Sequence, residues 1–221
     1  MTESSYPVTA TDPELAGRIR ESVQGALPSS IADLSSLVRI PSVSWDSFDP
    51  AEVVRSSDAV RALVESTGLF DSVTTSRAPI EGDVLGHPAV LAVRKARNGR
   101  PTVLLYAHHD VQPQGHAELW ETAPFEPTVR GDRLYGRGAS DDKAGVMTHV
   151  AALRAVQDVL GDDLQVGVVV FIEGRRSSVR APSRTSSPSI GRSSPPISSS
   201  WRTRTTRRRP FQASPSVFAG T

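Results

Sequence analysis

The stretch VLLYAHHDVQPQG, residues 103–115, decides how the rest of the chain is read. Its first five residues are apolar or aromatic and contain no breaker, as expected of a strand, and the strand delivers His108, His109 and Asp110 at its end. Side chains alternate along an extended backbone, so His108 and Asp110 face one way and His109 the other. A carboxylate two residues beyond an imidazole can accept its ring N–H, fixing the tautomer and raising the basicity of the other ring nitrogen. Such a pair suits a metal ligand and its orienting group. The plain alternative is a surface histidine at a strand end.

A second stretch, DRLYGRGASDDKAGV (132–146), places glycines ahead of the paired carboxylates Asp141 and Asp142 at the start of a helical pattern. Glycines let the backbone turn tightly, and Asp141 can then face a cation held by His108. The alternative is an aspartate N-cap favoured by the helix dipole. With no cysteine in the chain, metal chemistry must use His and carboxylates, and disulfides and a thiol nucleophile are excluded.

Around these two stretches the periodicity predicts an α/β fold. Asp12-Pro13 signals a helix start, and apolar residues from Leu15 to Val38 recur at helical spacing, with Pro28 dividing the stretch and Pro41 ending it. A further helix is predicted over 51–66, closing at Gly68, and another over 141–160. Strands are predicted at 72–75, 90–93 and 102–106, with Asn98-Gly99 as a hairpin turn joining the last two. The run VGVVVFI within the strand at 165–172 has the composition of one buried on both faces.

After Gly174 the composition changes. Residues 1–174 hold all 24 acidic residues and 15 basic ones, a net charge of −9, whereas 175–221 carry ten Arg, 13 Ser and six Pro and no acidic residue. That composition predicts a disordered basic tail on an α/β body. The N-terminal residues lack the basic and apolar regions of a secretion signal, and no apolar run nears the ~20 residues that span a bilayer, so a cytoplasmic protein without a membrane segment is expected.

The segments LVRIPSVS (37–44), VLLYAHHDVQPQG (103–115), ELWETAPFEPTVRGDRLYGRGASDDKAGV (118–146) and VVVFIEG (168–174), in that order, resemble the dinuclear-zinc metallopeptidases. That family includes carnosinase-like dipeptidases, glutamate carboxypeptidase, acetylornithine deacetylase, succinyl-diaminopimelate desuccinylase and aminoacylase; ELWETAPFEP and the DDK form are most similar to the carnosinase-like branch. The resemblance implies a catalytic domain with a mixed sheet flanked by helices, of which residues 1–174 cover the N-terminal part, without the dimerisation and lid domain. It implies His108 as a ligand of one zinc, Asp110 as the catalytic carboxylate orienting it, Asp141 as the bridge between two zincs, and Asp142 after a strained peptide bond. Two Zn2+ per site are implied, with Mn2+ or Co2+ as substitutes, a dipeptide or N-acyl amino acid as substrate, and a homodimer for the intact form. His87, His109, His116 and His149 match no family ligand and are expected to be surface or packing residues.

The departure follows at once. Where the family reads EG-x-EE-x-GS, supplying a general base and a zinc ligand, this chain has Glu173-Gly174 and then Arg175-Arg176-Ser177-Ser178. Two guanidiniums at the place of a dication and its base oppose a working site. Shifting the reading frame back by one base permits E-E-E-x-G-S across 174–180, V-A-D-S-D-N across 200–206 and P-G-I-T-V-S-L-R-G from Phe211 onward, three family-like segments in order. The tail is therefore expected to be out-of-frame translation. A reading from another class is a polyanion-binding tail on a dead domain, since ten arginines without acids attract phosphate. With aromatics limited to Trp201, Phe211 and Phe218, no specific nucleic-acid module is expected.

Overall fold

The computed structural model describes residues 12–81 and 84–174. The expectations for residues 175–221, the basic tail, the shifted frame and the two arginines after Gly174, lie outside them.

Helix α1 (Pro13–Gly25) begins where the Asp12 carboxylate accepts the N–H groups of Glu14 and Leu15, with Pro13 occupying a first-turn position that needs no donor. Ala26 separates it from α2 (Leu27–Val38), which carries Pro28 in its own first turn, so the expected division falls at the proline. Helix α3 (Pro50–Glu65) repeats the device, with Asp49 capping the Ala51 N–H. Helix α4 (Lys143–Leu160) starts directly after Asp142.

The strands are β1 (Ser72–Ser76), β2 (Pro79–Glu81), β3 (Val84–Leu85), β4 (Ala89–Arg94), β5 (Thr102–His108), β6 (Thr128–Arg130), β7 (Arg133–Tyr135) and β8 (Gly167–Glu173). Four of them form a mixed sheet in the order β1-β4-β8-β5, while β2 with β3 and β6 with β7 make two small antiparallel pairs. Asn98 and Gly99 do reverse the chain, at φ 52° and 69°. Yet β4 and β5 are not a hairpin. The most apolar strand, β8, lies between them, antiparallel to β4 from Val90↔Ile172 to Arg94↔Val168 and parallel to β5 from Thr102↔Gly167 to His108↔Glu173. Turn residues specify only the reversal; which strands pair is settled by the β5-α4-β8 crossover, whose helix must pack back on the sheet.

That packing fills one face. Val90, Ala92, Ala107, Val168, Val170 and Ile172 meet Leu37, Val60, Val64, Val146, Val150 and Leu153 from the helices in a single core, each large side chain contributing about 1.5–3 kcal/mol by burial. On the opposite face Leu104 is 64% and Tyr106 51% exposed, and Leu91 and Phe171 are exposed beside them. The expectation that β8 is buried on both faces therefore holds for one face only among the described residues, because α2, α3 and α4 share one core on the same side. No described helix is long and apolar enough to cross a membrane.

Because β5 and β8 are parallel, their carboxyl ends emerge together, and in open α/β sheets such ends are where ligands bind.

Candidate metal centre

His108, the last residue of β5, stands at that edge with its ring held from both sides. Nδ1 lies 3.1 Å from Asp110 Oδ1, and Nε2 lies 3.2 Å from Asp141 Oδ1. Asp110 is buried, whereas the Asp141 side chain is 57% exposed. Nδ1 donates to Asp110 and leaves Nε2 as the ring's outward nitrogen. Zinc binds nitrogen and carboxylate oxygen at about 2.0–2.2 Å, and two ligands of a tetrahedron then stand roughly 3.3 Å apart. His108 and Asp141 thus fit two corners of one cation's shell. No group of three His, Cys, Asp or Glu residues gathers among the described residues, so the arrangement is a fragment of a ligand set.

The turn carrying Asp141 is built from several parts. The Asp141–Asp142 peptide bond is cis. Asp142 occupies the N-cap position of α4, as the plain reading of the carboxylate pair expects, but makes no side-chain cap bond there. Its Oδ2 instead accepts the backbone N–H of His108 at 3.1 Å, tying the turn to the end of β5. A Cβ at Gly145 would collide with the Asp142 carboxylate, and Gly138, at φ +80°, has no room for one against Val111. At Gly138 the positive φ itself calls for glycine, and at Gly145 any side chain would have to displace the Asp142 carboxylate.

Lys143 was not singled out by the sequence. It is fully buried, and its Nζ donates to the carbonyl oxygens of Leu37 at 2.7 Å, in the last turn of α2, and of Ile40 at 2.6 Å, just beyond it. Burial pushes its pKa down to about 7, with the Arg55 charge adding to the effect. The serines of LVRIPSVS were also missed. Ser42 Oγ donates to the His109 carbonyl at 2.7 Å and Ser44 Oγ to Asp110 Oδ2 at 2.6 Å, while Val43 bridges in parallel to Val111. Alternating small polar and β-branched residues after Pro41 were the available signal.

The histidines separate as alternation predicts. The Asp110 hydrogen bond pushes His108 up to about 9 against an opposing effect of burial. His109, wholly buried, is lowered to about 4 by desolvation despite donating from Nε2 to the Pro88 carbonyl at 2.9 Å. His87 donates to the Ser44 carbonyl, His149 to the Tyr106 carbonyl, and His116 is an exposed partner of Glu118. On the open face Tyr106 donates to Glu173, which raises its pKa to about 12.

Residues 104–174 match the model of peptidase family M20/M25/M40. A cysteinylglycine-S-conjugate dipeptidase of Corynebacterium striatum is 40% identical over 108 residues, covering 46% of this chain and 23% of that protein. The Cys-Gly metallodipeptidase DUG1 of Candida albicans is 31% identical over 167 residues, covering 72% and 34% respectively. The chain thus spans about a quarter to a third of the length of these relatives. Human carnosine dipeptidase 1 shares the fold, with a TM-score of 0.64 at 24% identity over 77% of this chain and 36% of that structure. By this sequence match, the stretch from Leu104 to Gly174 belongs to peptidase family M20/M25/M40.

Proposed function

We propose that residues 1–174 are the N-terminal part of the catalytic domain of a zinc-dependent dipeptidase, and that 175–221 are an out-of-frame translation that leaves this chain inactive. The observation that carries the first part is the His108 ring, held through Nδ1 by Asp110 and facing Asp141 across 3.2 Å through Nε2. In this reading His108 and Asp141 would hold divalent metal, and Asp110 orients the imidazole. A bound zinc pair supplies Lewis acidity, polarising the scissile carbonyl and lowering the pKa of the attacking water. The protein's part is to hold His108 in one tautomer, to set two carboxylates beside it, and to fix the Asp141 turn against β5 through Asp142. Substrates are dipeptides, and the intact form is a cytoplasmic homodimer.

The second part rests on the ligand count. A catalytic zinc usually takes three protein ligands, and in the register of that motif the Glu pair expected at positions 176 and 177 is replaced by Arg176 and Ser177. The test sets the 221-residue chain beside a version with the frame restored, measuring zinc stoichiometry and turnover of Cys-Gly, β-Ala-His and N-succinyl amino acids. Activity only after restoration is expected, with dipeptides preferred over acyl amino acids. Turnover by the uncorrected chain would overturn the assignment of essential residues, and a DNA sequence without E-E near Arg176 and D-S-D-N near Trp201 would end the frameshift reading.

A further inference from the structure

The two edges of the four-stranded sheet are finished differently. One is β1, Ser72–Ser76, serines and threonines around a single valine. The other is β5, whose segment Thr102–Ala107 holds no charged residue and no proline, the usual guards of a free edge, and in which Val103, Leu104 and Tyr106 are exposed. Which peptide groups β5 leaves open follows from its pairing. Its neighbour β8 donates to the Pro101 carbonyl through Gly167 at one end and accepts the His109 N–H through Glu173 at the other. Peptide groups of successive residues point to alternate sides, so 103, 105 and 107 face β8 while 102, 104, 106 and 108 face outward. Near the carboxyl end, α4 and its N-cap take two of the outward groups. His149 Nε2 donates to the Tyr106 carbonyl at 3.0 Å, and the Asp142 carboxylate accepts the His108 N–H at 3.1 Å. Beyond their reach lie Thr102, Leu104 and the N–H of Tyr106, and no strand among the described residues takes them up.

We propose that this open segment pairs with the same segment of a second copy of the chain, antiparallel and centred on Val103, so that two sheets join edge to edge. In that register Thr102 of each copy exchanges two hydrogen bonds with Leu104 of the other, and the groups held by His149 and Asp142 stay as they are. A strand pairing further along β5 would have to displace His149, so the edge fits a short partner. Charge selects the same register. Arg100, an exposed cation just ahead of the strand, stands opposite Tyr106 of the other copy, whose hydroxyl is bonded to Glu173. Opposite charges therefore meet at both ends of the contact, with an uncharged stretch between them. The pairing is independent of the zinc reading and of the homodimer proposed for the intact form.

The experiment uses the full 221-residue chain, whose lack of cysteine makes a single introduced thiol unambiguous. Sedimentation velocity over a range of concentrations should show a monomer–dimer equilibrium. Val103→Cys should cross-link to itself under mild oxidation, because a non-hydrogen-bonded antiparallel pair brings its Cα atoms to about 4.5 Å, within disulfide reach. Thr74→Cys, on the β1 edge, should not. Leu104→Pro removes an outward N–H and no bond to β8, and should weaken the dimer about tenfold or more, since two donors are lost per dimer. Arg100→Glu should weaken it too, and adding Glu173→Arg should restore it. A parent chain that stays monomeric at the highest concentrations reached would overturn the proposal. So would a dimer in which Val103→Cys fails to cross-link or Leu104→Pro associates as tightly as the parent, the result expected if residues 175–221 hold the copies together. Should Leu104→Pro fail to fold, Leu104→Lys, which sets a charge on the same edge, decides the matter on the same readout.

Discussion

On the outer face of β5, His108 lies between two carboxylates and its pKa is pushed up to about 9. One residue on, the inner face carries His109 into the core, where burial lowers it to about 4. The residue type is shared, and the two are neighbours at the point where β5 ends. What differs is whether the ring meets fixed negative charge or apolar packing with one carbonyl. The difference reverses the linkage to folding. His109 contributes stability that is complete above its unfolded pKa near 6.5 and is lost as pH falls toward 4. His108, in the metal-free protein, contributes stability complete below 6.5 and lost as pH rises through 9.

The largest effect expected from breaking this contrast is on the inner face. Between pH 6.5 and 4, unfolding by urea should show a loss on the order of 3 kcal/mol from His109, and His109→Gln, which can still donate to Pro88, should remove that part of the slope. An unchanged slope would show that another group titrates. Next comes Asp110→Asn, which removes the main cause of the outer shift. The His108 pKa should move from about 9 toward 6.5 in an NMR titration, and a value staying near 9 would assign the shift elsewhere. Lys143→Met tests what holds the outer face together. Leaving the Leu37 and Ile40 carbonyls without their donor should cost about 1–3 kcal/mol in denaturant, and a neutral result would mean that water replaces the ammonium. The smallest change belongs to Tyr106, half exposed at the rim. Tyr106→Phe should alter stability by less than about 1 kcal/mol, while Glu173→Gln should bring the phenol from about 12 back toward 10 in an ultraviolet titration.

Local rules were readable where one residue type sets the geometry. Asp12, Pro13 and Pro28 placed the first two helix starts because a cap or a missing donor acts within a turn. Alternation put His108 with Asp110 and turned His109 inward because the strand period is two. The hairpin at Asn98-Gly99 failed because pairing of β8 with both neighbours is a long-range choice that no four-residue window contains. Ser44 and Lys143 escaped for a similar reason. Each acts on atoms far along the chain, and serine or lysine carries no signal for such reach until the fold brings segment 37–44 beside both motifs.

The order β1-β4-β8-β5 also governs when this domain can form. The strand that joins the two halves of the sheet is the last of the described elements to be synthesised, and its partners wait with unpaired edges: Val90 must find Ile172, and Thr102 must find Gly167. A nascent chain that has emerged only through α4 holds helices and two unjoined strand units, so closure is a late event of high contact order rather than a stepwise one. Until β8 has emerged, the edges of β4 and β5 that it will fill stay unpaired, and unpaired strand edges are templates for pairing with neighbouring chains.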